Sequence, residues 1–470
     1  MEGWNGAGLV VPCWLCCGLF AERRDSGATE YTGRVAQRKR SLVIVVVLGA
    51  AVVAALVGAW RLMSQGGGSS QADLAAAKAK IEKLGFTVDP DELGRRLFVP
   101  SGENAAPIIV SLGSKFASGG EVAQLMSDQE TSVDTCLLYH RQHPDVYETI
   151  LLAAGKSGCD FGRDWNDGPM LLLPELAQEK AMVKYCAFLA QADANTGDYG
   201  GALQKLLVAD RIGWHIGSEP MIISKLVENT CRKIVIGATA RILVEHYSGH
   251  GAHDLVARLG SSLRPLAGIR QSLQGGLIMG HVAIEVYTPE EIHQLGGGNT
   301  VKSGAGVRVD PNLRAAGEAV YLDRIAQLHG IWSQSVPAED VVKMTDAFSA
   351  SVTNDTREEA EYARIIMPVY GGAYRSSVVT GTATSMFRRL GEVLATIRED
   401  GIDVAVERYN GRFDDGVSGQ ELKLKAVPGG FKFYSIGWDG IDDGGPSVIG
   451  FRSPTVRNDD FGFWIPLGSS

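Results

Sequence analysis

The fold is decided by residues 171–212, which read LLLPELAQEKAMVKYCAFLAQADANTGDYGGALQKLLVADRI. Apolar residues recur at helical spacing on both sides of the polar turn at residues 196–199, so the pattern predicts one helix before the turn and one after it. A second turn at residues 217–220 predicts the start of a third helix, over residues 221–244. Long helices joined by short turns pack antiparallel, and this stretch therefore predicts helical hairpins.

Helical patterns continue on both sides of this stretch, and the sequence predicts an α-helical body over residues 72–400. The character of the chain then changes. Residues 422–426 and 431–436 have the composition of short strands around a Pro-Gly-Gly turn, and residues 461–465 that of a third strand. A small β-containing tail with an acidic loop is therefore predicted over residues 401–470.

The turn between the first two helices carries the pattern A-x-x-x-x-G-D-Y-x-x-A-L at residues 192–203. This pattern resembles a tetratricopeptide hairpin, but no second copy follows at a 34-residue period, so a repeat array is not predicted. The predicted fold class is mainly α. Antiparallel helical hairpins, tetratricopeptide-like in part, lie between one transmembrane helix and the small C-terminal β tail.

The transmembrane helix is predicted from residues 42–60, the uncharged run LVIVVVLGAAVVAALVGAW. A helix of this length spans about 28 Å, close to the hydrocarbon thickness of a bilayer. Four basic residues precede the run and one follows it, so the positive-inside rule predicts a cytoplasmic N-terminus. We therefore expect a cytoplasmic tail over residues 1–40, an inner-membrane helix over 41–62, a flexible linker over 63–71 and a periplasmic body. A cleaved signal peptide is the alternative, but RLMSQGGG after the run contains no A-x-A-like cleavage site.

Charge is divided unevenly along the chain. The net charge is −9 at pH 7, but residues 1–64 carry +3 and the remainder carries −12. Proteins that bind nucleic acid present a basic face, so the acidic body argues against nucleic acid as a partner. Apolar residues at 45% and charged residues at 21% match ordinary globular proteins and exclude a wholly disordered, collagen-like or multi-span membrane protein.

The densest acidic group lies at the C-terminus, in the glycine-rich loop FYSIGWDGIDDGG at residues 433–445 and in the later Asn-Asp-Asp. Calcium binds six to eight oxygens, which Asp carboxylates and turn carbonyls supply, and glycines let those carbonyls turn inward. The loop lacks the spacing of an EF-hand, and a solvated acidic turn is the alternative interpretation. The candidate calcium ligands are Asp439, Asp442, Asp443, Asp459 and Asp460.

The same loop resembles the C-terminal calcium loop of the major pseudopilin of type II secretion. The resemblance implies that Asp439 and either Asp459 or Asp460 bind calcium, whereas Asp442 and Asp443 are added from their chemistry alone. The chain departs from that family upstream, because the predicted membrane helix begins SLVIV and lacks the Glu of a pilin leader.

Pieces elsewhere in the chain are similar to a group of single-pass exported proteins abundant in planctomycetes. They include Glu103-Asn104-Ala105-Ala106-Pro107, Cys159-Asp160-Phe161, Leu173-Pro174-Glu175-Leu176 and the stretch at residues 434–445. The group has no assigned activity, so this resemblance implies a topology and not a mechanism.

Two further patterns are weak. The glycine-rich loop at residues 296–306 lacks the Gly-Lys-Ser order of a phosphate-binding loop, and a surface loop is the favoured interpretation. His246, His250 and His253 suit zinc only if they share one continuous helix, and the two glycines among them favour a loop instead.

The cysteines are assigned from their surroundings. Cys186 and Cys231 lie on apolar helical faces and are predicted core residues, whereas Cys136 and Cys159 bracket a loop-containing segment that a disulfide would close in an oxidising compartment. The sequence carries no nucleophile elbow and no Ser-x-x-Lys motif, so no catalytic residues are nominated.

These patterns together predict a membrane-anchored scaffold that binds a protein partner in the cell envelope and has a calcium-stabilised C-terminal loop. Two alternatives stay open. One is an envelope hydrolase with a cleft between helices, and the other is an accessory component of a secretion or pseudopilus-like machine.

Overall fold

A computed structural model of the 470-residue chain shows a mainly helical protein with a small C-terminal sheet. The part of the chain that the structure describes comprises residues 70–126, 132–266, 268–296, 310–367, 370–453 and 460–467. The predicted cytoplasmic tail, the predicted membrane helix at residues 41–62, nearly all of the predicted linker and the glycine-rich loop after residue 296 lie outside the described residues.

Eighteen α-helices and four strands form within these described ranges. The first nine helices are α1 (Ser70–Lys83), α2 (Pro90–Leu97), α3 (Ala106–Ser111), α4 (Gly113–Phe116), α5 (Glu121–Leu125), α6 (Ser132–Gln142), α7 (Pro144–Ala154), α8 (Glu175–Asn195) and α9 (Tyr199–Ser218). The other nine are α10 (Ile222–Glu245), α11 (His250–Ser262), α12 (Leu273–Val286), α13 (Pro289–Gly296), α14 (Pro311–Trp332), α15 (Ala338–Thr353), α16 (Glu361–Ile366), α17 (Tyr370–Asp400) and α18 (Ile402–Tyr409).

The hairpin of α8 and α9 confirms the helices predicted around the turn at residues 196–199. Gly197 adopts a φ of 83°, a left-handed conformation that ends α8 at little cost for glycine. The side chain of Asp198 then accepts a hydrogen bond from the Gly201 amide at 2.8 Å and caps the start of α9. Local sequence chemistry therefore sets the point at which the chain reverses.

The sheet has the order β1-β2-β4-β3 and is antiparallel throughout. Its strands are β1 (Lys423–Val427), β2 (Gly430–Ser435), β3 (Gly450–Arg452) and β4 (Phe461–Pro466). The three predicted strands are confirmed within one or two residues. β3 was not predicted, because three residues are too few to show an alternating pattern.

Two hydrophobic cores lie within the described part of the chain. The first lies among α3–α11, α17 and α18, and it includes sheet residues such as Phe431, Phe433 and Phe463, none of which is solvent-exposed. The sheet therefore packs into the helical core. The second core lies among α1, α2 and α12–α16 and contains Tyr321 and Leu277.

The prediction of a membrane-anchored inner-membrane protein with a periplasmic body is not supported and is corrected here. Within the described ranges, none of the helices combines the length and the apolar character needed to cross a bilayer. The apolar α12 has 14 residues and is about 21 Å long, too short for a bilayer of about 30 Å. The longer α17 has 31 residues but carries several arginines.

The disulfide considered between Cys136 and Cys159 is not formed. Both side chains are buried and free, as are those of Cys186 and Cys231, which lie in the first core as predicted. Burial raises the pKa of the Cys136 thiol to about 12, so this cysteine behaves as a small apolar core residue.

Candidate metal centre

Three side chains with metal-binding atoms converge in the second core. His281 and Glu285 lie four residues apart on one face of α12, and Glu318 faces them from α14. One ligand atom from each residue lies within 4.8 Å of the other two. Among the described residues, no other three His, Cys, Asp or Glu side chains come together in this way. The group is therefore the leading candidate for a metal site.

The distances and burial show how the site is built. His281 Nδ1 lies 2.9 Å from Glu318 Oε1, and His281 Nε2 lies 3.4 Å from Glu285 Oε1. The side chains of His281 and Glu318 are 7% and 5% exposed, whereas that of Glu285 is 55% exposed. The site is thus closed by protein on one side and opens to solvent at Glu285.

The close approach of His281 and Glu318 leaves the imidazole nitrogen poorly satisfied. His281 Nδ1 and Glu318 Oε1 are both buried and lie 2.9 Å apart, but their alignment is poor for a hydrogen bond. Glu318 Oε1 is paired with Lys78 Nζ, 2.9 Å away, whereas His281 Nδ1 has no well-aligned partner among the described residues. An unsatisfied buried nitrogen costs free energy and is uncommon in folded proteins, and a ligand bound to it would remove this cost.

Glycines bring α12 close enough to α14 for this contact. A Cβ at Gly280 would overlap the ring of Tyr321 on α14, and one at Gly276 would overlap the hydroxyl of Tyr370. The Tyr321 hydroxyl donates a hydrogen bond to the Gly276 carbonyl at 2.7 Å. Tyr321 lies three residues after Glu318 and therefore on the same face of α14, so its packing against Gly280 places Glu318 beside His281.

We predict that Gly280→Ala separates the two helices. The added methyl group has no room beside Tyr321, and overpacking of a core costs about 1–3 kcal/mol of unfolding free energy. The matched control is Gly330→Ala on α14, where nothing lies within 4 Å of an added Cβ and the higher helix propensity of Ala applies. Urea unfolding that shows equal stability for the two variants would contradict this account of the packing.

Lys78 on α1 supplies a positive charge at the candidate site. Its Nζ lies 2.9 Å from Glu318 Oε1, the same oxygen that contacts His281. Burial alone would raise the pKa of Glu318, but the contacts with His281 and Lys78 outweigh burial and lower it. Glu318 is therefore held as a carboxylate, the form that binds a metal ion.

This donor set favours some metals over others. One imidazole nitrogen and two carboxylates suit zinc or manganese, whereas calcium takes only oxygen ligands. In tetrahedral zinc sites the ligand atoms lie about 3.3 Å apart, as bond lengths of about 2.0–2.1 Å require. Glu285 faces the opposite ring nitrogen of His281, so its 55% exposed side chain would need the largest movement to close the site.

The residues predicted to bind calcium lie elsewhere and are partly engaged in other contacts. Asp442 Oδ1 accepts hydrogen bonds from the Tyr434 hydroxyl and the Gly444 amide, and its Oδ2 pairs with Lys425 at 2.8 Å. Asp439 is exposed and accepts a hydrogen bond from the Ile441 amide two residues ahead. These are the contacts of a structured acidic turn.

The other three predicted calcium ligands differ from one another. Asp443 is exposed, Asp459 lies outside the described residues, and Asp460 is buried with its Oδ2 accepting from the Gly445 amide at 2.7 Å. Burial, followed by the nearby Asp442 and Asp443, raises the pKa of Asp460. The described aspartates do not group as three metal ligands, and because Asp459 lies outside the described residues, calcium at this loop stays a prediction.

The histidines considered for zinc contact different neighbours and do not face one common point. His246 Nε2 lies 3.1 Å from the Asn195 side-chain oxygen, and the ring of His253 packs against Tyr247 with the ring centroids 4.7 Å apart. α10 ends at Glu245 and α11 begins at His250, so the predicted loop is present between His246 and His250, whereas His250 and His253 both lie on α11. Among the residues that the structure describes, they form no metal group.

The sequence did not nominate His281, Glu285 or Glu318. The stretch LQGGLIMGHVAIEV is one of the most apolar in the described chain, and it was assigned only as a helix. The His-x-x-x-Glu spacing at residues 281–285 was a usable local signal, because it places two ligands on one helical face. The third ligand, Glu318, follows 33 residues later on another helix, and a local sequence pattern does not show that it lies close to the first two.

Comparison of the chain with protein-family models, with curated proteins and with solved structures finds no match. The resemblances to the pseudopilin loop and to exported planctomycete proteins therefore stay predictions. The function must be argued from the geometry of the site.

Proposed function

We propose that this protein binds a divalent transition-metal ion, of the zinc or manganese class, through His281, Glu285 and Glu318. The observation that carries the proposal is the convergence of one ligand atom from each residue within 4.8 Å. The buried His281 Nδ1, which has no well-aligned hydrogen-bond partner among the described residues, supports it, because a metal ion would give this nitrogen a partner.

The ion would join two helices of the second core. His281 and Glu285 belong to α12 and Glu318 to α14, so a bound metal would add a link across a contact that now depends on the packing of Tyr321 against Gly280. A site assembled only in the folded chain converts metal-binding free energy into folding stability. Three protein ligands with one solvent-facing side also leave a coordination position for water.

Thermal unfolding of the full-length chain with increasing zinc tests the proposal. We expect the melting temperature to rise with zinc concentration, because a ligand at 100 times its Kd stabilises the native state by about 2.7 kcal/mol. His281→Gln should abolish the rise and Glu285→Gln should reduce it. Titration calorimetry on the same samples gives the stoichiometry, expected to be one ion at this site.

Two nearby residues provide matched controls. His293 and Glu290 are exposed on α13 and belong to no metal group among the described residues, so His293→Gln and Glu290→Gln should leave the zinc effect unchanged. All titrations use a background in which Cys13, Cys16 and Cys17 are serine, since these thiols lie close together in the sequence and bind zinc readily. A zinc effect of the same size in wild type and His281→Gln would refute the site.

We also propose that the α8–α9 hairpin is tetratricopeptide-like. The pattern at residues 192–203 and the tight turn at Gly197 support this likeness. The proposed tetratricopeptide likeness is limited to these two helices.

A further inference from the structure

The ammonium of Lys78 lies where it would compete with a metal ion. Its Nζ and His281 Nδ1 are each 2.9 Å from the same atom, Glu318 Oε1. An ion bound by both His281 and this oxygen must approach the lone pairs that Lys78 now faces. Lys78 would also repel it, because like charges at short range in a largely buried site are poorly screened.

The helix that carries Lys78 packs along α14, and a small number of polar links join the two helices. α1 has 14 residues, of which only Ala77 and Ile81 are buried. Its polar links to α14 are the Lys78–Glu318 pair, the Lys80–Asp323 pair and the hydrogen bond from Ser70 to Asn312 at 3.2 Å. The Lys78–Glu318 pair is the least exposed of these links, with side-chain exposures of 31% and 5% against 50% and 33% for Lys80 and Asp323. Loss of the Lys78 contact would therefore weaken the attachment of α1.

We infer that metal binding at His281, Glu285 and Glu318 and the docking of α1 through Lys78 are mutually opposed. The metal takes Glu318 from Lys78 and loosens α1, and a docked α1 lowers the affinity for the metal. Because linkage is reciprocal, the two effects are the same coupling seen from two sides. The ion would thus control how firmly α1 is held to the second core.

This inference rests on the proposed metal site, and Lys78→Met tests it. The methionine keeps most of the aliphatic chain and removes the charge, so we expect zinc to bind at least about tenfold more tightly, within the usual range for coupled sites. Lys83→Met is the matched control, because Lys83 is an exposed lysine on the same helix and its loss changes the net charge equally. Its zinc affinity should stay within about twofold of wild type.

Hydrogen exchange supplies the second readout. In the wild-type chain, zinc should speed amide exchange in residues 70–83, and in Lys78→Met exchange there should already be fast and insensitive to zinc. Equal zinc affinities in wild type and Lys78→Met, with unchanged exchange in α1, would overturn the coupling and leave the metal site standing. Absence of zinc binding from both proteins would overturn the site and the coupling together.

Discussion

Arg163→Ala is expected to lower the free energy of unfolding by about 3–5 kcal/mol, the usual cost of removing one partner from a buried ion pair. Arg163 follows α7 in the connection to α8 and binds two carboxylates. Its Nε lies 2.8 Å from Glu219 Oε1, and its Nη2 lies 3.1 Å from Glu175 Oε2. The Arg163 and Glu219 side chains are 8% and 5% exposed, so the substitution would leave a buried charge without its partner.

The arginine also joins three parts of the chain. Glu175 begins α8, Glu219 directly follows α9, and Arg163 Nη1 donates to the Leu172 carbonyl at 3.1 Å. Burial opposes the charge on Arg163, but the two carboxylates outweigh burial and raise the pKa of the guanidinium. A lysine ammonium cannot reproduce the planar fork that reaches Glu175, Glu219 and the Leu172 carbonyl together, so Arg163→Lys should recover only part of the loss.

Urea unfolding measures the effect, with Arg258→Ala as the control. Arg258 pairs with Asp254 at 3.4 Å, but both side chains are more than half exposed, and such pairs contribute little. The double variant Arg163→Met with Glu219→Met should be more stable than Arg163→Ala, because no unpaired Glu219 charge remains. Equal stability of Arg163→Ala and Arg258→Ala would show that the buried pairs are unimportant.

The second large effect is expected at Glu179 on α8, where Glu179→Gln should stabilise the protein increasingly as the pH rises. Glu179 is fully buried, and neither of its carboxylate oxygens has a hydrogen-bond partner among the described residues. Burial, followed by the charges of Glu219 and Glu175, raises its pKa well above the ordinary value, and Arg163 offsets this only in part.

The direction of the pH effect follows from proton binding. The unfolded chain loses the Glu179 proton near the ordinary Glu pKa of about 4.3, whereas the native state keeps it to higher pH. Above that value the native state binds more protons than the unfolded state, so Glu179 contributes stability that is lost as the pH rises. Glutamine has the same shape and no proton to lose. Its advantage should grow by up to about 1.4 kcal/mol per pH unit until native Glu179 ionises.

Unfolding free energies measured from pH 5 to pH 8 test this prediction. Glu407→Gln is the control, because Glu407 is exposed on α18 and its replacement should leave the pH profile of stability unchanged. Parallel profiles for wild type and Glu179→Gln would show that Glu179 is already ionised in the native protein, contrary to its burial.

Much of the secondary structure was predictable because it depends on local chemistry. The α8–α9 hairpin follows from apolar spacing, from Gly197 in the left-handed conformation and from the Asp198 cap. The β1–β2 hairpin follows from short strand patterns on either side of Pro428 and Gly429. Each of these signals lies within a few residues of the feature that it specifies.

The site and the position of the tail were not predictable in this way. Acidic residues that are neighbours in sequence, such as Asp442 and Asp443, suggested a metal loop, yet in the fold Asp442 is engaged by Lys425 and Tyr434. The candidate metal ligands instead come from α12 and α14. The sequence of α12 is strongly apolar and indicated only a buried helix.

The sequence by itself determined the mainly helical class, the reversal between α8 and α9 and the strands of the C-terminal hairpin, because hydrogen-bonding periodicity and turn chemistry act over a few residues. Only the tertiary structure decided that the sheet shares the first helical core and that Lys78, His281 and Glu318 meet. These contacts join residues far apart in the chain. They depend on how closely helices pack, as at Gly280 against Tyr321, and local pattern does not encode that distance.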